Sequence, residues 1–227
     1  MQGVEIEYTT RNEEKFGGYL TKPEGAGPFP GILLITAIFG IDGDMIELAD
    51  EWARDGFIVS VPDIFWRQVS GPTADMDIAK GRMHDFDPDQ GMRDIEDLLG
   101  DLRNRSECNG KVGILGFCFG GRYVHLSAAR LGVDAGASFH GTAIGQHLDE
   151  TSNIKCPMSH HFGDNDPAVP MLEVNAIKEA YAKIPNSDIV IYPDIGHNFT
   201  MPSKPGYDEQ VANSARSAAL KIFTSMK

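Results

Sequence analysis

One short stretch constrains this chain more than any other: GILGFCFGGRYV, Gly113–Val124. The residues Lys111–Gly116 read as a buried strand, and Gly120–Leu131 as a helix. A chain that passes from strand to helix in so few residues strains its backbone at the middle of the turn and lifts that side chain above the sheet. Strand and helix nearly touch at such a turn, so its neighbours must be small. Gly116 and Gly120 meet that need, and Gly121 allows still closer packing. The residue lifted up is Cys118, placed where the unpaired N–H groups of a helix N-terminus favour a thiolate. The competing reading is an inert, buried cysteine on a glycine-rich turn.

The remainder of the chain supplies a sheet for such a turn. Val4–Thr9 and Phe16–Lys22 read as an antiparallel pair. Ile32–Thr36, Phe57–Val61, Val133–Phe139, Pro157–Phe162 and Asp188–Tyr192 read as further strands. Between them lie helical patterns at Asp44–Asp55, from Pro88 onward, at Met171–Lys183 and at Tyr207–Met226, with a short helix at Asp75–His84. This alternation predicts an α/β fold whose mostly parallel sheet carries helices on both faces. A length of 227 residues with 41% hydrophobic residues suits a single domain over 1–227.

The totals exclude several classes of function. Lys and Arg number 20 against 33 Asp and Glu, for a net charge of −13 with no basic block, which argues against nucleic-acid binding. No apolar run reaches the roughly 18 to 20 residues of a membrane span. The start, MQGVEIEYTT, is polar, without a signal-peptide core. Three scattered cysteines, Cys108, Cys118 and Cys156, suit a reducing compartment and form no metal-binding pattern. The expectation is a cytoplasmic monomer, since no heptad marks an interface.

A nucleophile needs a base, and the base needs an orienting group. Gly-Phe-Cys-Phe-Gly has the shape of the Gly-x-Ser-x-Gly turn of α/β-hydrolases, where the chain order is nucleophile, acid, histidine. HHFGDNDPAVP, His160–Pro170, follows a strand and offers Asp164 and Asp166 as the acid. YPDIGHNF, Tyr192–Phe199, offers His197 in a loop after the last strand. His125 reads as packing, His84 and His147 as exposed, and His140 as a residue lining the pocket. The oxyanion hole needs two backbone N–H groups, expected from Phe119 and from a position near Ile38.

These segments carry a resemblance. ILLITAIFGID, VPDIFWRQ, GKVGILGFCFGG, FGDNDPAVP and IGHNF, with their spacing, resemble the dienelactone hydrolase (carboxymethylenebutenolidase-like) family over nearly the whole chain. The resemblance implies an eight-stranded α/β-hydrolase fold and a Cys118–His197–Asp166 triad, with Asp164 a turn residue. It implies an acyl-enzyme formed from a small ester or lactone, an oxyanion held by the Ile38 and Phe119 amides, and neither metal nor cofactor. Two positions depart from the pattern. Ala37 stands where the family carries a glutamate, and Met201 where it carries a substrate-binding arginine. Arg82 is a candidate for the other arginine. Phe39, His140, Phe199 and Met201 are candidates for lining the substrate site, favouring apolar groups. A carboxylesterase or thioesterase, a non-catalytic ligand binder and a redox sensor are the competing functions.

Overall fold

The computed structural model describes residues 3–227. Eight strands hydrogen-bond in the order β1-β2-β4-β3-β5-β6-β7-β8. Residue contacts cluster into two compact units, 1–113 and 114–227.

In the first unit, β1 (Val4–Thr9) and β2 (Lys15–Thr21) form an antiparallel hairpin, and β2 pairs antiparallel with β4 (Ile58–Pro62). β3 (Phe29–Ile35) runs parallel to β4. Ile32, Leu33, Leu34 and Ile35 have no solvent exposure, as a strand covered on both faces requires. α1 (Gly43–Arg54), α2 (Met76–His84) and α3 (Pro88–Asn104) each begin on an aspartate whose carboxylate accepts first-turn N–H groups: Asp42, Asp75 and Asp87. Part of the chain's acidity therefore serves as helix caps. α3 turns Ile95, Leu98, Leu99 and Leu102 inward at the spacing the sequence shows.

The second unit is parallel throughout. β5 (Cys108–Phe117) enters it at Ile114, and β6 (Gly136–Phe139), β7 (Met158–Gly163) and β8 (Ser187–Tyr192) follow in sequence. The helices are α4 (Gly120–Arg130), α5 (Met171–Tyr181) and α6 (Glu209–Thr224). A 3₁₀ segment, Ile144–Asn153, was not expected from its polar sequence and kinks at His147, which is half-buried rather than exposed.

Close backbone approach explains two of the glycines. A Cβ on Gly116 would lie 2.6 Å from the Gly120 carbonyl oxygen. A Cβ on Gly121 would lie 2.3 Å from the Gly141 Cα. Because the second clash is with backbone, Gly121→Ala should lower the unfolding free energy by about 1–3 kcal/mol, read by urea denaturation. An unchanged midpoint would show that the contact between α4 and residue 141 is loose.

Candidate active site

Cys118 stands between β5 and α4 at φ 49°, in the left-handed region that a non-glycine residue occupies at a cost. Three backbone hydrogen bonds hold it there. Its N–H donates to the Phe139 carbonyl (3.1 Å), and its carbonyl accepts from Gly121 N (3.0 Å) and Thr142 N (2.9 Å). The side chain is half-buried. α4, unlike the aspartate-capped helices, has no side-chain cap and no acidic residue in its first turn. The positive end of its dipole is thus not offset by a carboxylate of its own first turn.

His197 Nδ1 lies 2.6 Å from Asp166 Oδ2, and the carboxylate is fixed from its other oxygen by the Ala168 N–H (2.7 Å). Asp164 takes a different part. Its Oδ1 accepts from the Asp194 N–H (2.7 Å), tying the loop after β7 to the loop after β8. The backbone bonds Asp164 N to Tyr192 O (3.0 Å) and Asn165 N to Ile195 O (2.9 Å) complete that tie. Asp166 and His197 are therefore set by loops bonded to each other beyond the ends of their strands.

The His197 ring also hydrogen-bonds the Cys118 side chain. Burial alone would push this imidazole down. The hydrogen bonds to Asp166 and Cys118 and their negative charges outweigh that and raise it to about 9. The other histidines of the region behave oppositely. Burial, and then the charge of His197, holds His140 well below the usual histidine range, and burial pushes His161 down to about 3. One imidazole of the group is thus held protonated beside neutral ones.

Under the site runs a row of rings that sequence reading does not find. Phe117 stacks on Phe139 (5.1 Å, 13°), Phe139 on His161 (4.9 Å, 12°), and His161 on Tyr192 (6.1 Å, 20°). The first two pairs are register partners across β5, β6 and β7. Strand register, invisible in a single sequence, creates the row.

The remaining candidates take several different positions. Arg82, a candidate for the substrate carboxylate, is 1% exposed and bound to backbone instead. Its Nε and Nη2 donate to the Ile38 carbonyl (2.8 and 2.6 Å), and its Nη1 to Val69 O (3.2 Å) and Gly71 O (2.7 Å). A guanidinium so engaged clamps the turn at Ile38 rather than offering its fork to a ligand. Phe39 and Ile38 are half-exposed, while Phe199, His140 and Met201 are buried. His140 and Phe199 are packing partners, their rings 5.5 Å apart. Phe119 is buried against Tyr123. Cys156 is buried 3.7 Å from the Met158 sulfur, and burial raises its thiol to about 11, which opposes its use as a thiolate.

The dienelactone hydrolase family model matches residues 16–227. The chain belongs to the dienelactone hydrolase family. Among relatives of this dienelactone hydrolase family member, it is 28% identical over 232 residues to a carboxymethylenebutenolidase of Pseudomonas putida, covering 100% of this chain and 97% of that one. It is 28% identical over 231 residues to carboxymethylenebutenolidase 1 of Cupriavidus pinatubonensis, covering 99% and 97%. In fold it is similar to a putative dienelactone hydrolase from Klebsiella pneumoniae (TM-score 0.86, 23% identity, 99% of each chain). It is also similar to a dienelactone hydrolase-like promiscuous phosphotriesterase from metagenomic libraries (TM-score 0.85, 22% identity, 100% and 99%). As a dienelactone hydrolase family member with the α/β-hydrolase fold, it is a hydrolase of ester or lactone bonds.

The raised pKa of His197 depends in part on its neighbour. The hydrogen bond and charge of Cys118 are among the causes that raise the imidazole to about 9, and alanine supplies neither. In Cys118→Ala the His197 ring, followed by NMR across pH, should therefore titrate below its wild-type value. A titration unmoved by the substitution would contradict the pairing.

Proposed function

We propose that the protein is a cysteine hydrolase of small, weakly polar esters or lactones, working through an acyl-enzyme on Cys118. The observation that carries this reading is the strained Cys118, hydrogen-bonded to an imidazole whose other nitrogen is held by a buried carboxylate. His197 keeps the proton taken from the thiol, and the thiolate attacks the carbonyl carbon. The resulting oxyanion is met by the Phe119 N–H at the start of α4. Collapse expels the alkoxide or enolate, which takes the proton from His197 and leaves a thioester on Cys118.

Acylation then changes the base. The charge on Cys118 and its hydrogen bond are among the causes that raise His197. A thioester carries neither, so the imidazole becomes a stronger acid and is neutral when water arrives. Held by Asp166 in the tautomer that presents its far nitrogen, it takes a proton from that water. The hydroxide adds to the thioester, the thiolate leaves, and the carboxylic acid product departs.

The substrate reading rests on the departures from the family pattern. Ala37 cannot exchange a proton with the thiol, which leaves the activation of Cys118 to His197 and the helix dipole. Met201 replaces a charge with a buried thioether, and Arg82 is committed to carbonyl groups. An anionic dienelactone loses its charge-assisted partners at both positions. The relatives named carboxymethylenebutenolidase therefore guide the chemistry more than the substrate. The same reading takes the chain as one hydrolase domain, and its three free cysteines suit a reducing cytoplasm.

The test is steady-state hydrolysis of p-nitrophenyl acetate, a neutral lactone, an acyl thioester and a dienelactone by wild type and Cys118→Ala. Turnover of the neutral substrates is expected to exceed that of the dienelactone, and Cys118→Ala should lose it by about 1,000-fold or more. Wild-type rates in that variant would remove the nucleophile from the account.

A further inference from the structure

His140 occupies a position that the reaction as described does not use. It follows the last residue of β6, has φ 41°, and has no solvent exposure. Its neighbours in sequence grip the nucleophile: Phe139 O accepts the Cys118 N–H, and Thr142 N donates to the Cys118 carbonyl. Its own N–H donates to the His161 carbonyl (2.8 Å), which pins the segment to the end of β7. Its side chain reaches the other way, to the histidine loop. The ring lies 4.6 Å from the His197 ring at 66°, and its Nε2 lies 3.1 Å from Thr200 Oγ1, a side chain that is itself buried. Phe199 closes the far side, 5.5 Å away at 76°.

We propose that His140 is a positioning residue that brackets the nucleophile turn to the histidine loop and sets the His197 ring against Cys118 and Asp166. This rests on the reading of Cys118 and His197 as nucleophile and base. Two loops carry the reacting groups, and side chains that misplace by an ångström lose much of their effect. The backbone around His140 fixes Cys118, while its ring fixes the orientation of His197. Being neutral in its buried site, it does so without repelling the imidazolium. An aliphatic residue could fill the volume but would lack the flat ring and the Thr200 partner.

Three variants test this: His140→Ala, His140→Phe and Thr200→Val. Each is measured for kcat and KM on p-nitrophenyl acetate, with kcat expressed per Cys118 alkylated by iodoacetamide as read from the modified peptide, and for the pH titration of the His197 ring by NMR. His140→Ala should lose about 10- to 100-fold in kcat with KM within about 3-fold. Its His197 titration should move down by roughly half a pH unit or more, because a loose ring makes weaker bonds to Asp166 and Cys118. His140→Phe should restore most of the loss by restoring the flat ring. Wild-type kcat per Cys118 and an unmoved or higher His197 titration in His140→Ala would overturn the proposal. Should neither His140 variant fold, judged by circular dichroism, Thr200→Val decides: a loss of about 3-fold or more supports the bracket, and wild-type kcat overturns it. A wild type without Cys118-dependent turnover or alkylation would instead fail the function reading, and the bracket with it.

Discussion

The left-handed backbone at Cys118 is the constraint on which the second unit depends. A cysteine rests there because Gly116 lets β5 meet Gly120, and Gly121 lets α4 meet Gly141. Those approaches leave no space for a Cβ, so the helix must start directly above the strand end. The strain at one residue is offset by the packing of everything around it. The row Phe117, Phe139, His161 and Tyr192 spans the strand ends beneath, and stacked rings of this kind contribute roughly 0.5–1.5 kcal/mol per pair beyond their burial.

Charge is distributed to suit that turn. Asp42, Asp75, Asp87 and Asp208 each cap a helix, while α4 begins on Phe119 with no side-chain cap. In a chain of net charge −13, the helix above the nucleophile lacks the acid that would compete with a thiolate. The histidines divide in the same way. His140, His160 and His161 are buried and neutral, and His197, between a carboxylate and a thiol, keeps its proton. Burial and pairing, acting on the same residue type a few ångströms apart, separate the acid–base group from its packing.

Much of this was readable in the sequence because it is local. The order of strands and helices follows from runs and periodicities, and the glycine spacing around Cys118 marks a strand–helix turn without further information. His197 is found by chain order and its loop. The segment containing the acid is equally visible, but the choice between Asp164 and Asp166 rested on resemblance. Their different partners, a backbone N–H and a histidine, appear only when the two loops are side by side. What escaped reading depends on register or depth. Phe199 and Met201 lie in a loop, where no periodicity tells inward from outward, and both turn inward. Arg82 is a cation in a polar helix, and nothing local announces that its guanidinium finds three carbonyl groups distant in sequence. Thr200, which meets His140, had no signal at all.

The central claim is covalent: a thioester on Cys118 lies between ester and product. It is tested most directly by mixing the protein with p-nitrophenyl acetate, quenching in acid within the first turnovers, and measuring intact mass and the modified peptide. The account predicts one acetyl group per chain, on the peptide carrying Cys118, decaying as free acetate appears. Steady hydrolysis with no adduct, or an acetyl group on any other residue, would contradict it.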